Sequence, residues 1–427
     1  MSLTKKDYKN RLIDDKISEY LKIFGAVSIV GPKWCGKTWT SLNHANSVSF
    51  MTEKSQRDLA KVDPKYIFAE ERPQLIDEWQ LVPTIWDAVR HECDKDHNKG
   101  KFILTGSTTL TKEEEKENVY HSGAGRIALM NMYPMSLYES GDSTGDISIT
   151  DMINGTANLK RIGKIELEKI AQLVIRGGWP ENINVEVEKQ GIIPKSYIES
   201  IIYKDIKERK DKKRDSQKML MLLKSLSRNE SSVASNDTLV KDIEEFTDDE
   251  TMRSSRNTVA DYLSVLDSLY LIANQEAFSI NYRSSKRIGK SPKRHLVDPS
   301  LACACLDLTV PKLMNDLNTF GLLFESLVER DLRIYGEYLD AHLFHFRDNV
   351  SGDEVDAILE FADGSYGVFE IKLSHDGIDD AKKSLTKFYN NVSKKPAFMC
   401  IIVGYFEAVI QDPETGIYII PITSLKP

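Results

Sequence analysis

The chain lacks any long apolar run and has few cysteines. No stretch approaches the ~20 consecutive apolar residues of a membrane span, and the polar residues 1–9 contain no apolar signal-peptide segment. The five cysteines are scattered without the paired spacing of a zinc site, and an odd, scattered set is typical of reduced thiols. We therefore expect a cytoplasmic protein with no membrane association, no disulfide and no zinc.

An excess of positive charge is also missing. Lysine and arginine number 57 against 65 aspartate and glutamate residues, which gives a net charge of -8 over 427 residues. This balance excludes a protein that coats nucleic acid through its overall charge, so any DNA contact must come from local segments. Residues 281–294 carry six positive residues and no acid. Residues 204–218 mix eight basic with four acidic residues, which a solvated helix with internal salt bridges explains more readily.

A strand that runs directly into a glycine-rich loop is the most informative pattern present. The apolar residues 26–30 precede Gly31-x-x-x-x-Gly36-Lys37-Thr38. The N–H groups of such a loop bind phosphates, the lysine reaches the β- and γ-phosphates, and the threonine hydroxyl binds Mg²⁺. The pattern predicts ATP and Mg²⁺ as cofactors. The predicted nucleotide-binding positions are Gly31, Pro32, Lys33, Trp34, Cys35, Gly36, Lys37, Thr38 and Trp39.

Two further short strands end in polar residues suited to the same site. Residues 74–78 read as a buried strand that ends in Asp77 and Glu78. Asp77 would hold the Mg²⁺ shell, and Glu78 would polarise the attacking water, an arrangement that favours hydrolysis over passive binding. Residues 101–107 form a third strand that ends in Ser107, a candidate sensor of the γ-phosphate if this strand is parallel to the others. The alternative for Ser107 is an ordinary helix N-cap.

Arg126 follows a pair of glycines in Gly123-Ala-Gly125-Arg126. It is a candidate arginine finger for its own nucleotide site or for that of a neighbouring copy. Action on a neighbouring copy would require a homo-oligomer. The alternative is a plain surface arginine.

The middle of the chain reads as mainly helical. Residues 141–155 are rich in Gly, Ser, Thr and Asp and predict a mobile linker. Helices over residues 239–246 and 256–272, followed by a short strand pair at 271–273 and 278–280, fit the winged-helix pattern. Such modules either place their second helix in a DNA major groove or serve only for packing, so both interpretations stay open.

Near the C-terminus, residues 354–372 predict a β-hairpin with a turn at Asp363 and Gly364. Glu370 and Lys372 lie two residues apart and so share a face, and strand pairing places Asp356 opposite them. Two carboxylates and a lysine can bind Mg²⁺ and orient water for attack on a phosphodiester. Glu325, in the preceding helix, is a candidate further acid and metal ligand. The alternative is a set of surface salt bridges across an ordinary sheet.

Together these patterns make the chain similar to the bacterial and archaeal AAA-like P-loop ATPases that carry a C-terminal domain of restriction-endonuclease-like fold. The resemblance rests on the P-loop, Asp77-Glu78, Gly106-Ser107, Gly125-Arg126, Gly177-Gly178-Trp179-Pro180, Gly321 to Glu325, and the D…E-x-K pattern of Asp356, Glu370 and Lys372. It implies an α/β protein with a parallel-sheet NTPase domain at 1–140, a linker and helical lid segment at 141–210, a winged-helix-like domain at 211–295, and a nuclease-like α/β domain at 296–427.

Two functions of different classes follow. In the first, Lys37 and Glu78 support ATP hydrolysis, and the nucleotide state controls a nuclease whose site is Asp356, Glu370 and Lys372, with DNA as partner. In the second, the protein is an ATP-dependent switch whose nuclease-like fold serves only as a surface for DNA or a protein partner.

Overall fold

The computed structural model describes residues 3–110, 119, 121–163, 165–202, 215–245, 255–281, 291–348 and 352–427. Most of the basic run at 204–218 and the central part of the basic segment 281–294 therefore lie outside the described residues. The chain divides into two compact units. Unit 1 comprises residues 1–134 with 266–271, and unit 2 comprises residues 135–265 with 272–427.

Unit 1 is a five-stranded parallel sheet in the order β2-β3-β4-β1-β5. Its elements, in chain order, are α1 (Ile13–Ile23), β1 (Ala26–Val30), α2 (Lys37–His44), β2 (Ser47–Phe50), α3 (Lys54–Val62), β3 (Gln74–Asp77), α4 (Ile85–Asp94), β4 (Phe102–Gly106) and β5 (Ile127–Asn131).

The three inner strands β1, β3 and β4 are buried on both faces, as expected for parallel strands covered by helices on each side. Alternate residues of β1 enter different cores: Ala26 packs with Ile76 and Leu104, whereas Val27 packs with Leu75 and other residues of the opposite face. Because the strands are parallel, the carboxyl ends of β1, β3 and β4 lie at one edge. The predicted strands that precede the P-loop, Asp77 and Ser107 are confirmed.

Unit 2 begins with short elements and ends in a large mixed sheet. Its helices are α5 (Leu137–Ser140), α6 (Ile149–Asn154), α7 (Leu167–Arg176), α8 (Ile192–Ser200), α9 (Ser216–Arg228), α10 (Asn236–Glu245), α11 (Arg256–Ser268, which ends in unit 1), α12 (Pro299–Cys305), α13 (Val310–Asn315), α14 (Leu317–Tyr338) and α15 (Ile378–Asn391). Its strands are β6 (Ile147–Ser148), β7 (Lys160–Arg161), β8 (Glu276–Ala277), β9 (His342–Arg347), β10 (Glu354–Glu360), β11 (Tyr366–Lys372), β12 (Phe398–Val403), β13 (Ala408–Gln411), β14 (Tyr418–Pro421) and β15 (Leu425–Lys426).

The large sheet has eight strands in the order β7-β13-β14-β12-β11-β10-β9-β8. β9, β10 and β11 are antiparallel neighbours, β12 then pairs parallel to β11, and α15 makes the crossover between them. Ala381, Leu385 and Phe388 of α15 pack on a face that includes Val368 and Ile401. The predicted hairpin with its turn at residues 363 and 364 is confirmed.

Among the described residues from the start of α9 to residue 296, there are three helices and three short backbone pairings. Ser232 pairs with Arg294, Ile272 with Leu296, and Gln275 with Lys293, all antiparallel. The predicted pairing of residues 271–273 with 278–280 is wrong. The partner of 272–275 is 293–296, and Phe278 instead donates its backbone N–H to the His345 carbonyl of β9 at 2.7 Å.

The predicted mobile linker at 141–155 is also wrong. Residues 147–148 form β6 and pair with β15, and residues 149–154 form α6. The buried Ser143 donates its hydroxyl to the Leu425 carbonyl at 2.7 Å, and the Thr144 amide donates to the Thr423 carbonyl at 2.8 Å. The polar residues that suggest a linker in the sequence therefore bind backbone groups about 280 positions away.

Among the residues that the structure describes, no helix combines the length and apolar character needed to cross a membrane.

Candidate functional site

The loop between β1 and α2 has the backbone of a phosphate-binding loop. Gly31 has φ 156°, and a Cβ there would lie 2.1 Å from the Met132 carbonyl oxygen, so only glycine fits. Gly36, with φ 105°, precedes the first residue of α2. The Lys37 ammonium, whose side chain is buried, donates to the carbonyls of Gly31 and Pro32 at 2.9 and 2.7 Å. These bonds hold the lysine beneath the loop, where exchange for phosphate oxygens is the expected change on nucleotide binding.

The other predicted loop positions divide into solvent-facing and buried side chains. Trp34 and Trp39 are 53% and 42% exposed. Cys35 is buried, with its Sγ 3.6 Å from the Met132 carbonyl, so its contribution to phosphate binding is through the backbone. Arg11, which the sequence did not single out, is buried and donates to the Cys35 carbonyl at 2.8 Å, and so fixes the loop from below.

Asp77 lies at the end of β3 within reach of two hydroxyl groups. Thr38 Oγ1 donates to Asp77 Oδ1 at 2.8 Å, and Thr105 Oγ1 donates to the same oxygen at 2.7 Å. Burial raises the pKa of Asp77, against the lowering effect of these two hydrogen bonds. A carboxylate beside a hydroxyl at the mouth of a phosphate loop is a donor set that suits Mg²⁺, which keeps most of its ligands as water and phosphate oxygens. Thr38 and Asp77 would hold the ion.

Glu78 is the next residue and adopts a left-handed backbone with φ 56°, a conformation that is uncommon outside glycine and is found at functional sites. Its amide donates to Thr105 Oγ1 at 3.1 Å. Its carboxylate accepts from Ser107 Oγ at 2.9 Å and from the Gln80 side-chain amide. Glu78 and Ser107 are thus brought together at the carboxyl edge of the sheet, and Thr105 links them to Asp77.

Arg126 does not join this site in its own chain. It immediately precedes β5, whose first residue Ile127 pairs with Ala26 at the start of β1, whereas the P-loop follows the end of that strand. Five residues of β1 separate the two positions, roughly 15 Å along the strand. Arg126 is half exposed and bonds Asp94 at 2.8 Å. The expectation that it serves its own nucleotide is therefore wrong, and a role toward a neighbouring copy stays a prediction.

The second predicted constellation comes together on β10 and β11. Lys372 Nζ lies 2.7 Å from Glu370 Oε2 and 3.5 Å from Asp356 Oδ2. Ser384 of α15 donates to Glu370 Oε1 at 3.0 Å, and the Ile371 amide donates to Asp356 Oδ2 at 2.8 Å. Burial, and then the neighbouring Asp356, raise the pKa of Glu370 to about 7. The side chains of Asp356 and Lys372 remain 14% and 30% exposed, so solvent reaches this group.

Glu325 occupies the same neighbourhood but is engaged by a different cation. Its carboxylate bonds the ammonium of the buried Lys293, which also lies 3.3 Å from Glu329 Oε1. Burial raises the pKa of Glu325 to about 8, against the lowering effect of Lys293. Burial alone would lower the pKa of Lys293, but Glu329 and Glu325 raise it, so the ammonium stays charged. Glu325 therefore faces Lys293 and not an open coordination position.

Within the described part of the chain, no set of three or more His, Cys, Asp or Glu side chains is arranged to hold a metal ion. Mg²⁺ is, however, commonly bound through only one or two carboxylates plus water and phosphate oxygens. Asp356 and Glu370 meet that requirement, with Lys372 between them. Of the three predicted metal ligands, the structure brings Asp356 and Glu370 together around Lys372, whereas Glu325 faces Lys293 instead, and metal binding by the first two stays a prediction.

Both sites also contain residues that sequence reasoning did not identify. Thr105 connects Asp77 to Glu78, and Gln80 bonds Glu78, although both lie within or next to the predicted strands. Lys293 and Ser384 bond Glu325 and Glu370 from segments distant in sequence. The role of Thr105 could have been suspected from the sequence. It lies two positions before Ser107 on the same strand, so its side chain points to the same face as the serine.

Three family models match separate parts of the chain. Residues 24–141 match an AAA domain, residues 167–312 match a domain of unknown function (DUF8612), and residues 320–425 match a second domain of unknown function (DUF4143). No curated protein matches this chain.

The solved structures to which the chain is similar include three proteins that are 14% identical to it or less. The Walker-type ATPase PABY2304 of Pyrococcus abyssi is 12% identical over 71% of this chain and 99% of its own, with a TM-score of 0.44. The ORC2 protein of Aeropyrum pernix, in its ADPNP–ADP complexes, is 11% identical over 74% and 98%, with a TM-score of 0.33. The RuvB Holliday junction branch migration motor of Thermotoga maritima is 14% identical over 64% and 94%, with a TM-score of 0.27.

The domain-level match and the geometry of the site agree with each other. The matched segment contains the P-loop, Asp77, Glu78 and Ser107. The five parallel strands place these groups at one edge of a sheet, which is where α/β proteins bind their ligands. Residues 24–141 thus match an AAA domain and have the parallel sheet and phosphate-loop geometry of a P-loop ATPase domain.

Proposed function

We propose that this protein binds and hydrolyses MgATP and that its nucleotide state controls a nuclease-like, DNA-engaging C-terminal domain. The observation that carries the proposal is the linked set at the carboxyl edge of unit 1, in which Thr38 bonds Asp77 and Ser107 bonds Glu78. A loop that only stored nucleotide would not need a second carboxylate placed beyond the metal-binding one.

Each group of the set has one step to perform. Lys37 exchanges its two carbonyl contacts for phosphate oxygens, and Thr38 and Asp77 hold Mg²⁺. Glu78 accepts a proton from, and orients, the water that attacks the γ-phosphorus. Ser107 donates a hydrogen bond to Glu78 and so fixes the direction of its carboxylate. When bound, Mg²⁺ would supply positive charge that neutralises the phosphate oxygens.

The C-terminal part of the proposal rests on the order of elements around β10 and β11. α14 precedes three antiparallel strands, and α15 then crosses to the parallel strand β12. This order is consistent with a restriction-endonuclease-like core, and the D…E-x-K residues lie together at its middle strands. In this assignment Asp356 and Glu370 would hold Mg²⁺, which would supply positive charge beside the phosphodiester, and Lys372 would stabilise the negative charge that develops on it.

The three-helix segment supplies a candidate DNA-binding module. Helices α9, α10 and α11 are followed by backbone pairings in which residues 293–296 meet both Ser232 and residues 272–275. A three-helix unit closed by a small antiparallel sheet is consistent with a winged helix, in which the third helix enters the major groove. The basic residues of the segment 281–294 would contact phosphates; residues 282–290 of it lie outside the described part of the chain.

The experiment is a parallel measurement of ATP turnover and DNA cleavage by the full chain with Mg²⁺. Lys37→Ala should lose ATP binding, whereas Glu78→Gln should bind ATP without turning it over. Asp356→Ala should turn over ATP at the wild-type rate and lose cleavage of duplex or single-stranded DNA. Normal turnover by Lys37→Ala would overturn the P-loop assignment.

A second function, an ATP-dependent switch with no nuclease activity, is favoured by one specific observation. The four carboxylates Glu325, Glu329, Asp356 and Glu370 are bonded by two ammonium groups, those of Lys293 and Lys372. Each of the four carboxylates thus has an ammonium partner within the protein itself and does not need a metal ion to be paired. Absence of any cleavage, together with nucleotide-dependent binding of DNA or of a protein, would favour this second function.

A further inference from the structure

Asp356 lies at an irregularity in the strand that carries it. Asp356 and Ala357 of β10 together face the single residue His345 of β9, because the register shifts by one residue between Val355 and Ile358. Two residues opposite one define a β-bulge, which interrupts the ladder of backbone hydrogen bonds and changes the direction of a side chain. The bulged backbone of Asp356 therefore sets the direction of its carboxylate, which lies beside Lys372.

The carbonyl oxygen of Asp356 at this bulge is bound by two side chains. Gln275 Nε2 donates to it at 3.2 Å, and Lys293 Nζ donates at 3.4 Å. Gln275 is fully buried and donates also to the Phe344 carbonyl at 2.8 Å. A partly buried carbonyl that has left the strand ladder is destabilising without a hydrogen-bond donor, so these side chains stabilise the bulge.

Both donors come from one pair of backbone segments. The Gln275 amide donates to the Lys293 carbonyl at 3.0 Å, and the Lys293 amide donates back to the Gln275 carbonyl at 2.9 Å. Residues paired in this way project their side chains on the same face. The pairing of residues 272–275 with 293–296 thus delivers two hydrogen-bond donors to a single carbonyl of β10.

The position of Lys293 is fixed by a chain of buried charges. Its ammonium also bonds Glu325 and Glu329, and Glu329 in turn bonds His295, which bonds Glu230. The side chains of Lys293, Glu329, His295 and Glu230 are all 4% exposed or less. A buried ammonium is tolerated only when it is paired in this way, so Lys293 has little freedom to leave the Asp356 carbonyl.

We propose that Gln275 and Lys293 are positioning residues for the Asp356–Glu370–Lys372 site: they hold the bulge of β10 and so aim the Asp356 carboxylate at Glu370 and Lys372. The expected effect on DNA cleavage rests on the proposed nuclease function. The positioning of the Asp356 carboxylate does not depend on that activity. In this arrangement the site depends on Gln275 and Lys293, which precede α14 in the chain, as well as on the strands β10 and β11 that carry its three residues.

The Ile371 amide provides a direct readout, because it donates to Asp356 Oδ2 at 2.8 Å. We would measure hydrogen exchange of this amide in the full chain for Gln275→Met and Lys293→Met, which keep side-chain length and remove the donors. Asp356→Ala removes the acceptor of the Ile371 amide and so gives the largest increase in its exchange rate that can be expected. Lys382→Met is the matched control, because it removes a lysine that bonds Asp412 in the same unit.

We expect the Ile371 amide to exchange about tenfold faster in Gln275→Met and in Lys293→Met, as after loss of one hydrogen bond. Exchange should be unchanged in Lys382→Met. Where DNA is cleaved, both variants should lower kcat about tenfold with KM unchanged. Unchanged exchange at Ile371 in both variants, with fast exchange in Asp356→Ala, would overturn the proposal.

Misfolding of one variant, or failure of the nuclease function, can be distinguished from failure of the positioning role. If Lys293→Met does not fold, Gln275→Met decides alone, since it removes a neutral donor and leaves the charged chain intact. If the wild-type protein cleaves no DNA under any condition, the proposed nuclease function fails, whereas the exchange at Ile371 still supports or overturns the positioning role.

Discussion

Thr105→Val is the substitution whose effect follows most directly from the nucleotide site. The Thr105 hydroxyl is fully buried, donates to Asp77 and accepts from the Glu78 amide. Valine keeps the shape and removes both bonds. Loss of a hydrogen bond to a charged group costs about 1.5–3 kcal/mol, and an unpaired buried N–H adds about 1 kcal/mol or more. We expect the free energy of unfolding to fall by about 2–4 kcal/mol.

Turnover should fall as well, because the hydroxyl sets the relative positions of Asp77 and Glu78, the carboxylates that we propose bind the metal and orient the water. We expect ATP turnover to drop about tenfold or more, since each 1.4 kcal/mol of lost transition-state stabilisation is tenfold in rate. The assays are urea unfolding of unit 1 and steady-state ATP hydrolysis.

Ser28→Ala is the matched control for this substitution. Ser28 is equally buried in β1, and its hydroxyl has no hydrogen-bond partner among the described residues. Its removal should leave stability unchanged or slightly higher. The reasoning is refuted if Thr105→Val unfolds within about 0.5 kcal/mol of Ser28→Ala, a difference typical of surface substitutions, and hydrolyses ATP at the wild-type rate.

Three further predictions concern named groups. Lys37→Ala should abolish nucleotide binding, and Glu78→Gln should retain binding with turnover reduced at least a hundredfold, as measured by equilibrium binding and phosphate release. Asp356→Ala should leave ATP turnover within twofold of wild type, and a larger change would show that Asp356 acts on the ATPase site. His295 concerns pH: burial alone would lower its pKa, but Glu329 and Glu230 raise it to about 9 from 6.5. The protonated ring then contributes stability that is fully present below pH 6.5 and lost as the pH rises through about 9, up to about 3 kcal/mol. The His295→Gln variant should lack this dependence in unfolding measured across that range, and identical pH profiles would contradict it.

The nucleotide site was largely predictable from the sequence because its parts are local. The P-loop is one contiguous segment, and Asp77, Glu78 and Ser107 each follow an apolar run that could only be a buried strand. Parallel strands bring such ends to one edge. Thr105 and Arg11 were missed because they act through hydrogen bonds to groups distant in sequence, Thr105 to Asp77 and Glu78 and Arg11 to the Cys35 carbonyl.

For the C-terminal site, the sequence predicted the hairpin and the residues that share its face, but not the side chains that contact them from elsewhere in the chain. The spacing of Glu370 and Lys372 and the turn between the strands give the shared face directly. The contribution of Lys293 was not predictable, because the lysine lies within a basic segment that suggests DNA contact and is separated from Asp356 by α12, α13 and α14. The linker prediction failed for the same reason, since the partners of residues 143 and 144 are Leu425 and Thr423, about 280 positions further along the chain.

The claim that nucleotide state controls the C-terminal domain is tested most directly with Glu78→Gln, which should hold ATP without hydrolysing it. The measurement is binding and cleavage of duplex DNA by this variant with Mg²⁺, with and without saturating ATP, beside the double variant that also carries Lys37→Ala. We predict that ATP changes DNA binding or cleavage at least tenfold in Glu78→Gln and has no effect in the double variant. Equal DNA binding and cleavage by Glu78→Gln with and without ATP would contradict the account.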